Sequence, residues 1–258
     1  MTPAMHPSVT AICLTADRQA QTDRAVASFL AQTYKQANLL IYDTGKKPYR
    51  LECLGSSRIV IVRDGPEMSR PIGAMRNVAN SVAVASDILL HMDSDDWSGP
   101  YRIQDQVQTL INSGKECVGY RSVLFYRSVL AKDREGAGGK IQYQSIHAVG
   151  EAWAYHNINP VYCIGASFCY WRKVWERQKF REDLPGPERG MGEDKEWLNH
   201  VDSQGAPDPL HTGFDINLVC EIHGGNTMKY VLDDESRGPT GWKRQPSWDA
   251  KLQSIMAL

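Results

Sequence analysis

"PIGAMRNVANSVAVASDILLHMDSDDW", Pro71 to Trp97, carries two periods in one run. Its first half is rich in small residues, and Ile72, Met75, Val78, Ala79 and Val82 recur at helical spacing as one apolar face. Its second half, "DILLHMD", is a short apolar run that reads as a buried strand, and Asp93, Asp95 and Asp96 crowd its end. A helix that feeds a buried strand is the unit of a parallel, doubly wound sheet. In such sheets ligands bind outside the carboxyl ends of the strands.

The flanking sequence repeats the unit. "VTAICL" from Val9 is a β-rich run, followed by a helix in which Val26, Phe29 and Leu30 share a face and Thr22 is a candidate cap. "NLLIYDTG" reads as a second strand ending at Asp43, and "SRIVIVRDG" as a third ending at Asp64. Beyond the helix "PYRIQDQVQTLINSG" the pattern changes. "ECVGYRSVLFYRSVL" and "IQYQSIHAV" alternate like antiparallel strands around a hairpin at "AKDREGAGGK". A helix "EDKEWLNHVDS" and a strand "NLVCEIHGGNT" follow. The expected fold is α/β, a Rossmann-like, mostly parallel sheet with a small antiparallel addition. Residues 1–232 are expected to form one domain, with a first half over about 8–98 and a second over about 99–232. Residues 233–258 are read as a tail, either mobile or packed through Trp242 and Trp248.

Composition narrows the classes. The 258 residues are 42% hydrophobic, enough for one large core, and the formal net charge of -1 advertises no general affinity for nucleic acid or anionic membrane. No window reaches the roughly 18 apolar residues of a membrane span, so a soluble, cytoplasmic protein is expected. The six cysteines are scattered without a C-x-x-C pair, and read as buried reduced thiols.

Chemistry concentrates at the strand ends. Asp93 and Asp95 are two apart and so face the same way in an extended segment, an arrangement that suits a hard cation, Mg²⁺ or Mn²⁺, sharing substrate phosphate oxygens. Asp96, on the other side, is free to cap the helix near Pro100. The competing reading makes all three acids helix caps, but three crowded carboxylates repel one another unless a cation is present. An EF-hand is excluded, because the sixth position from Asp93 is Ser98 and the twelfth Gln104. Asp43 before Gly45 has a plain alternative as a turn former, and Trp197 as a core residue. His223, ahead of two glycines at a strand end, is placed either to ligate a metal or simply to pack. The aromatic set Trp153, Tyr155, Tyr162, Trp171 and Trp175 reads as core packing ahead of an acceptor platform.

The ordered set "ICLTADR", "IYDTG", "IGAMRNVA", "LLHMDSDDW" and "GEDKEWL" resembles the family 2 glycosyltransferases of GT-A fold, over about Val9 to Thr227. The resemblance implies transfer of a sugar from a nucleoside diphosphate sugar, commonly a UDP-sugar, usually with inversion. It implies that Thr15 and Arg18 frame the nucleotide, that Asp43 accepts a hydrogen bond from the base, and that Arg76 and Asn77 face donor and metal. Asp93 and Ser94 would lie against the donor, Asp93, Asp95 and His223 would hold Mn²⁺ or Mg²⁺, and Asp194 would be the general base. Glu193 and Trp197 would meet the acceptor. The chain departs from the common pattern with "LTADR" in the first loop and "YDTG" where "DDGS" is frequent.

Two other readings stand beside this one. A nucleotidyltransferase of similar sheet would carry a Gly-rich phosphate loop after the first strand, and "TADRQAQ" has no glycine. A non-catalytic nucleotide- or carbohydrate-binding module would not need the acid at 194. The acceptor is left open among a glycan, a small molecule, a protein and a hydroxylated base in DNA, the last ranked behind a glycan.

Overall fold

Alternation along one strand builds two cores. The computed structural model describes residues 6–51, 56–65, 70–128, 150–183, 192–206, 216–223, 232 and 240–257. The chain runs through β1 (Val9–Thr15), α1 (Gln19–Leu30), β2 (Ala37–Asp43), β3 (Ile59–Arg63), α2 (Ile72–Val82), β4 (Ile88–His91), β5 (Trp97–Ser98) and α3 (Arg102–Ser113). It continues with β6 (Cys117–Tyr120), β7 (Ser122–Arg127), β8 (Glu151–His156), β9 (Cys169–Trp171), α4 (Arg172–Arg177) and α5 (Glu193–Leu198). The last elements are β10 (Ser203–Ala206), β11 (Leu218–Ile222), β12 (Gly241–Arg244) and α6 (Asp249–Met256).

Side chains of a strand point to opposite faces. Val9, Ala11 and Cys13 of β1 join Leu39, Ile41, Ile88 and Leu90 against Val26 and Phe29 of α1 and Ile103, Val107 and Leu110 of α3. Ile12, Leu40, Tyr42 and Leu89 point the other way, toward α2, Val174, Trp175, Phe180 and Trp197. Helices therefore cover both faces, which is why these strands are apolar throughout rather than alternating. The sheet order is β10-β6-β9-β4-β1-β2-β3. β1 pairs parallel with β2 and β4, and β2 with β3, whereas β9 inserts antiparallel between β4 and β6.

The addition is larger than the sequence pattern implies. It is a five-stranded sheet, β12-β8-β7-β11-β5, with β7 and β11 parallel and the other pairs antiparallel. The expected hairpin connection, "AKDREGAGGK", lies outside the described residues, as does "IQYQSIHAV" but for its neighbour β8, which supplies the antiparallel partner of β7. The described part of the expected tail, 240–257, packs with this sheet. β12 pairs with β8, and α6 packs Leu252 and Met256 against Leu124, Tyr126, Ala152 and Val219.

Three local expectations are corrected. Thr22 does not cap α1; it lies inside the helix and its hydroxyl donates to the Arg18 carbonyl at 2.7 Å. α2 turns a different face inward, burying Gly73, Ala74, Arg76, Asn77, Ala79 and Asn80 and leaving Val82 exposed, because the polar groups find partners on the far side. Asp96 does not cap α3, whose N-cap Tyr101 makes no side-chain capping bond; its Oδ1 accepts the Glu221 backbone N–H at 3.1 Å. Cys13, Cys117, Cys163, Cys169 and Cys220 are free and buried, and Cys53 is outside the described residues. Among the described residues no helix is long and apolar enough to cross a membrane.

Candidate active site

Parallel pairing brings the ends of β1, β2 and β4 to one rim. Thr15 lies in register with Asp43, and His91, the last residue of β4, with Ile12, so the loop carrying Asp93 to Asp96 emerges beside the loop carrying Arg18. Two charge clusters form there.

The first surrounds Asp95. Its Oδ2 accepts from Arg18 Nη1 at 2.8 Å and faces His223 Nε2 at 3.0 Å. Burial pushes the carboxyl pKa up, but the His223 contact and Arg18 outweigh it and hold Asp95 below the ordinary carboxylate range. Arg24 of α1 supports the loop from behind, donating through Nη2 to the Asp95 carbonyl at 2.6 Å and to the Glu221 carboxylate, and through Nη1 to the Met256 carbonyl at 2.9 Å. Asp96 is buried, and burial together with Asp95 and Asp93 drives its carboxyl well above the usual range. Ser94 is buried too, and its Oγ has no hydrogen-bond partner.

The second surrounds Arg76. Its guanidinium is buried and spans Asp93 (Nη2 to Oδ1, 3.6 Å), Glu193 (Nε to Oε1, 3.4 Å) and Asp194 (Nε to Oδ1, 3.8 Å). Burial would lower the Arg76 pKa, but Asp93, Asp194 and Glu193 reverse that and raise it. Asp194 keeps 30% of its side chain exposed, yet its Oδ1 is buried without a hydrogen-bond partner. Burial first, then Glu193, raises the Asp194 carboxyl well above the ordinary range, with Arg76 pulling the other way. Gly192 starts α5 at φ 83°, a left-handed conformation that suits glycine and lets the helix begin with both acids.

Other expected residues are engaged elsewhere. Asp43 is 1% exposed; its carboxylate accepts the N–H groups of Gly45 and Tyr49, each at 2.8 Å, and pairs with Arg63 at 2.5 Å. It ties a turn and is not open to a base. The Thr15 hydroxyl turns toward that of Thr22, at 2.7 Å. Asn77 faces away from the acids: Nδ2 donates to the Phe180 carbonyl and to Glu182, and Oδ1 accepts from Trp175 Nε1 and the Phe180 N–H. Trp197 is 0% exposed, stacked on Phe180 at 5.0 Å, with Nε1 donating to the Gln178 carbonyl at 2.6 Å. It offers no ring face to an acceptor, and Glu193, buried against Arg76, offers none of its carboxylate.

A cation has a partial ligand set here. Among the described residues no group of three or more His, Cys, Asp or Glu side chains stands together as a metal cage, so the expected trio is corrected: Asp95 and His223 meet, and Asp93 turns to Arg76. Mg²⁺-type ions are commonly held by one or two carboxylates plus substrate phosphates, and that requirement fits Asp95 with His223 and the unpartnered Ser94 Oγ.

Sequence reading passed over Arg24, Arg102 and His91. Arg102 is buried in α3 and donates to the carbonyls of His91 and Ala166, both at 2.6 Å, which fixes the end of β4. Arg24 and His91 have partners 71 to 232 residues away, and Arg102, though it also meets Ser98 and Gln106 four residues away, fixes the site through backbone carbonyls, which no sequence pattern marks.

The family model described as Glycosyl transferase family 2 matches residues 10–177. Among solved structures, residues 1–349 of S. aureus TarS superpose with TM-score 0.52 at 14% identity, over 83% of this chain and 60% of that one. The same protein in complex with UDP-GlcNAc gives 0.53 at 13%, over 87% and 62%. Mannosyltransferase PcManGT from Pyrobaculum calidifontis, in complex with GDP-Man and Mn²⁺, gives 0.52 at 12%, over 99% and 69%. The chain thus spans about 60% of the length of TarS 1–349. No curated protein matches it.

Proposed function

We propose that this chain, which belongs to glycosyl transferase family 2 and shares its fold with solved glycosyltransferases, moves a sugar from a nucleoside diphosphate sugar to an acceptor hydroxyl, with inversion and with a divalent cation. A UDP-sugar is the first donor to try and a GDP-sugar the second, since relatives of the same fold were solved with each.

The carrying observation is the span of Arg76. One guanidinium faces Asp93, on the loop at the end of β4, and Asp194, at the start of α5. A single displacement needs a leaving diphosphate on one side of the anomeric carbon and a base on the other. A pair of acids on separate elements a guanidinium apart supplies both sides.

An alcohol proton is held far above neutral pH, so the acceptor hydroxyl needs a carboxylate to take its proton as it attacks. Asp194 is assigned that role: burial and Glu193 raise its pKa, which makes it a stronger base once ionised. Arg18 lies on the donor side, where its pairing with Asp95 holds that carboxylate at the rim. Asp95 and His223 would hold the cation, with Asp93 beside them. The cation, when bound, offsets the charge that grows on the leaving diphosphate.

The experiment is a panel of UDP- and GDP-sugars incubated with the protein and Mn²⁺, Mg²⁺ or EDTA, scored for nucleotide release. Release from at least one donor that EDTA abolishes is expected. Silence across the panel, with or without cation, rejects the reading.

A further inference from the structure

The residue beneath the carboxylate of Asp194 is Gly165. It opens the short 3-10 turn Gly165–Ser167, which follows the described loop 157–164. A Cβ built on Gly165 would stand 1.6 Å from Asp194 Oδ2, 2.3 Å from Cγ and 3.0 Å from Cβ. All three of its nearest atoms belong to Asp194. The φ of Gly165 lies outside the left-handed region, in contrast to Gly114, Gly192 and Gly241, so the backbone there would admit any residue. What excludes a side chain is the space that the carboxylate fills.

The turn is itself held to the sheet. The Gly165 carbonyl meets His91 Nδ1 at 2.8 Å, and the same ring stacks on Phe168 at 5.3 Å. A carbonyl can only accept, so Nδ1 carries the proton and donates to it, while Nε2 faces the Tyr170 hydroxyl at 3.3 Å. Arg102 clamps the turn a second time through the Ala166 carbonyl. His91 is the last residue of β4, two before Asp93. One strand end therefore sets the position of the donor-side acid and of the surface on which Asp194 rests, while Arg76 faces Asp194 from Asp93.

We propose that Gly165 is a positioning residue for the base: its bare Cα is the seat of the Asp194 carboxylate, registered to the donor side of the site through His91. The inference rests on the assignment of Asp194 as base. Displacing a reacting group by about 1 Å costs roughly 10²-fold in rate, and a methyl group at Gly165 moves this carboxylate by at least that much.

The test is a cycle of Gly165→Ala and Asp194→Ala in the full chain. Gly165→Ala is expected to bind UDP or GDP with Mn²⁺ within twofold of wild type while nucleotide-sugar turnover falls by about 10²-fold. In the Asp194→Ala background the carboxylate is gone and only the Cβ of residue 194, 3.0 Å away, remains, so adding Gly165→Ala should leave residual turnover unchanged and lower Tm much less than it does on its own. Unchanged turnover in Gly165→Ala, or an equal Tm loss with and without Asp194, overturns the seat. Should Gly165→Ala unfold, rescue by Asp194→Ala supports the seat and absence of rescue overturns it. If Asp194→Ala keeps full turnover, the base assignment fails instead, and the Tm cycle still judges whether the carboxylate sits on Gly165.

Discussion

Replacing Asp194 with Asn should cripple turnover and stabilise the protein, and the two effects have one cause. The carboxyl is pushed well above its ordinary pKa by burial and by Glu193, against the pull of Arg76. The native state therefore holds a proton that the unfolded chain releases at lower pH. Between the ordinary value and the raised one the unfolded chain binds fewer protons, so stability falls as pH rises through that window and stays lowered above it. Asparagine has no charge to lose. Its gain over wild type should be near zero at pH below the ordinary carboxylate range and should grow toward neutral and alkaline pH. The amide leaves the atom at the buried, unpartnered Oδ1 position unpaired as well, so the gain is the difference between a charged and a neutral group there, about 1–3 kcal/mol, worth an increase in Tm of roughly 2–10 °C for a chain of this length. Turnover moves the opposite way. Loss of a general base costs about 10²–10⁴-fold, or roughly 3–5 kcal/mol of barrier. The wild-type rate should climb with pH as Asp194 ionises, and the residual rate of Asp194→Asn should be flat. Nucleotide release at pH 5 to 9 and melting curves over the same range read both. Turnover within tenfold of wild type, or a variant less stable than wild type at pH 8, would refute the reasoning.

Trp197→Ala should cost about 3–5 kcal/mol, as for other large core truncations, because the ring is fully buried on Phe180, Tyr170 and Phe168; chemical denaturation measures it, and a loss under 1 kcal/mol would return Trp197 to the surface. Asn77→Ala strands the Trp175 and Phe180 N–H donors, each worth about 1–3 kcal/mol when buried and unpaired. The folded variant should keep its affinity for UDP or GDP, and a selective loss of nucleotide affinity at unchanged Tm would restore Asn77 to the donor. His223→Ala should weaken Mn²⁺ activation by tenfold or more, about 1.4 kcal/mol, with Tm little changed because the ring contacts Asp95 at the rim; equal Mn²⁺ dependence in the two proteins would remove His223 from the cation.

The fold was legible wherever both faces of an element are buried. β1, β2 and β4 are apolar throughout because helices cover both faces, and a continuous apolar run survives any choice of face. α2 shows the limit. Its expected apolar face and its buried face share only Ala79, since Arg76, Asn77 and Asn80 face inward to partners on α5, at 180–182 and at Tyr170. Hydrophobic periodicity finds the face that seeks apolar neighbours, and is blind to one that seeks polar ones.

At the site, the identity of the acids was legible and their engagement only in part. Asp95 and His223 are 128 residues apart and come within 3.0 Å, as their places at two strand ends required. Asp43 is different because its neighbour strand answers it: in the β2–β3 register Asp43 stands opposite Arg63, and the pair closes a turn. On α5, Glu193, Asp194 and Trp197 were all expected to face the substrates. The buried pair is instead Glu193 and Trp197, four apart, which leaves Asp194 at the edge of the helix, over Gly165. A one-residue choice of helix face separates a base from a core residue, and sequence spacing alone does not make it.

The charge balance of the rim carries the argument for a cation further than any ligand count. Among the described residues five carboxyls, Asp93, Asp95, Asp96, Glu193 and Asp194, stand against Arg18, Arg76 and the buried Arg102, Arg24 being matched by Glu221, and the raised pKa values of Asp96 and Asp194 are the mark of that excess. A site short of positive charge is a poor receptor for a diphosphate, which brings more negative charge to the same place. Arg18 does not relieve the deficit, since it is already paired with Asp95. Either the donor is not a diphosphate, or a divalent ion enters with it and is shared between phosphate oxygens and the Asp95–His223 corner. Nucleotide affinity measured with and without Mn²⁺ decides between these: tight binding of UDP or GDP in EDTA would show that the acids do not repel the donor, and the case for the ion would go with it.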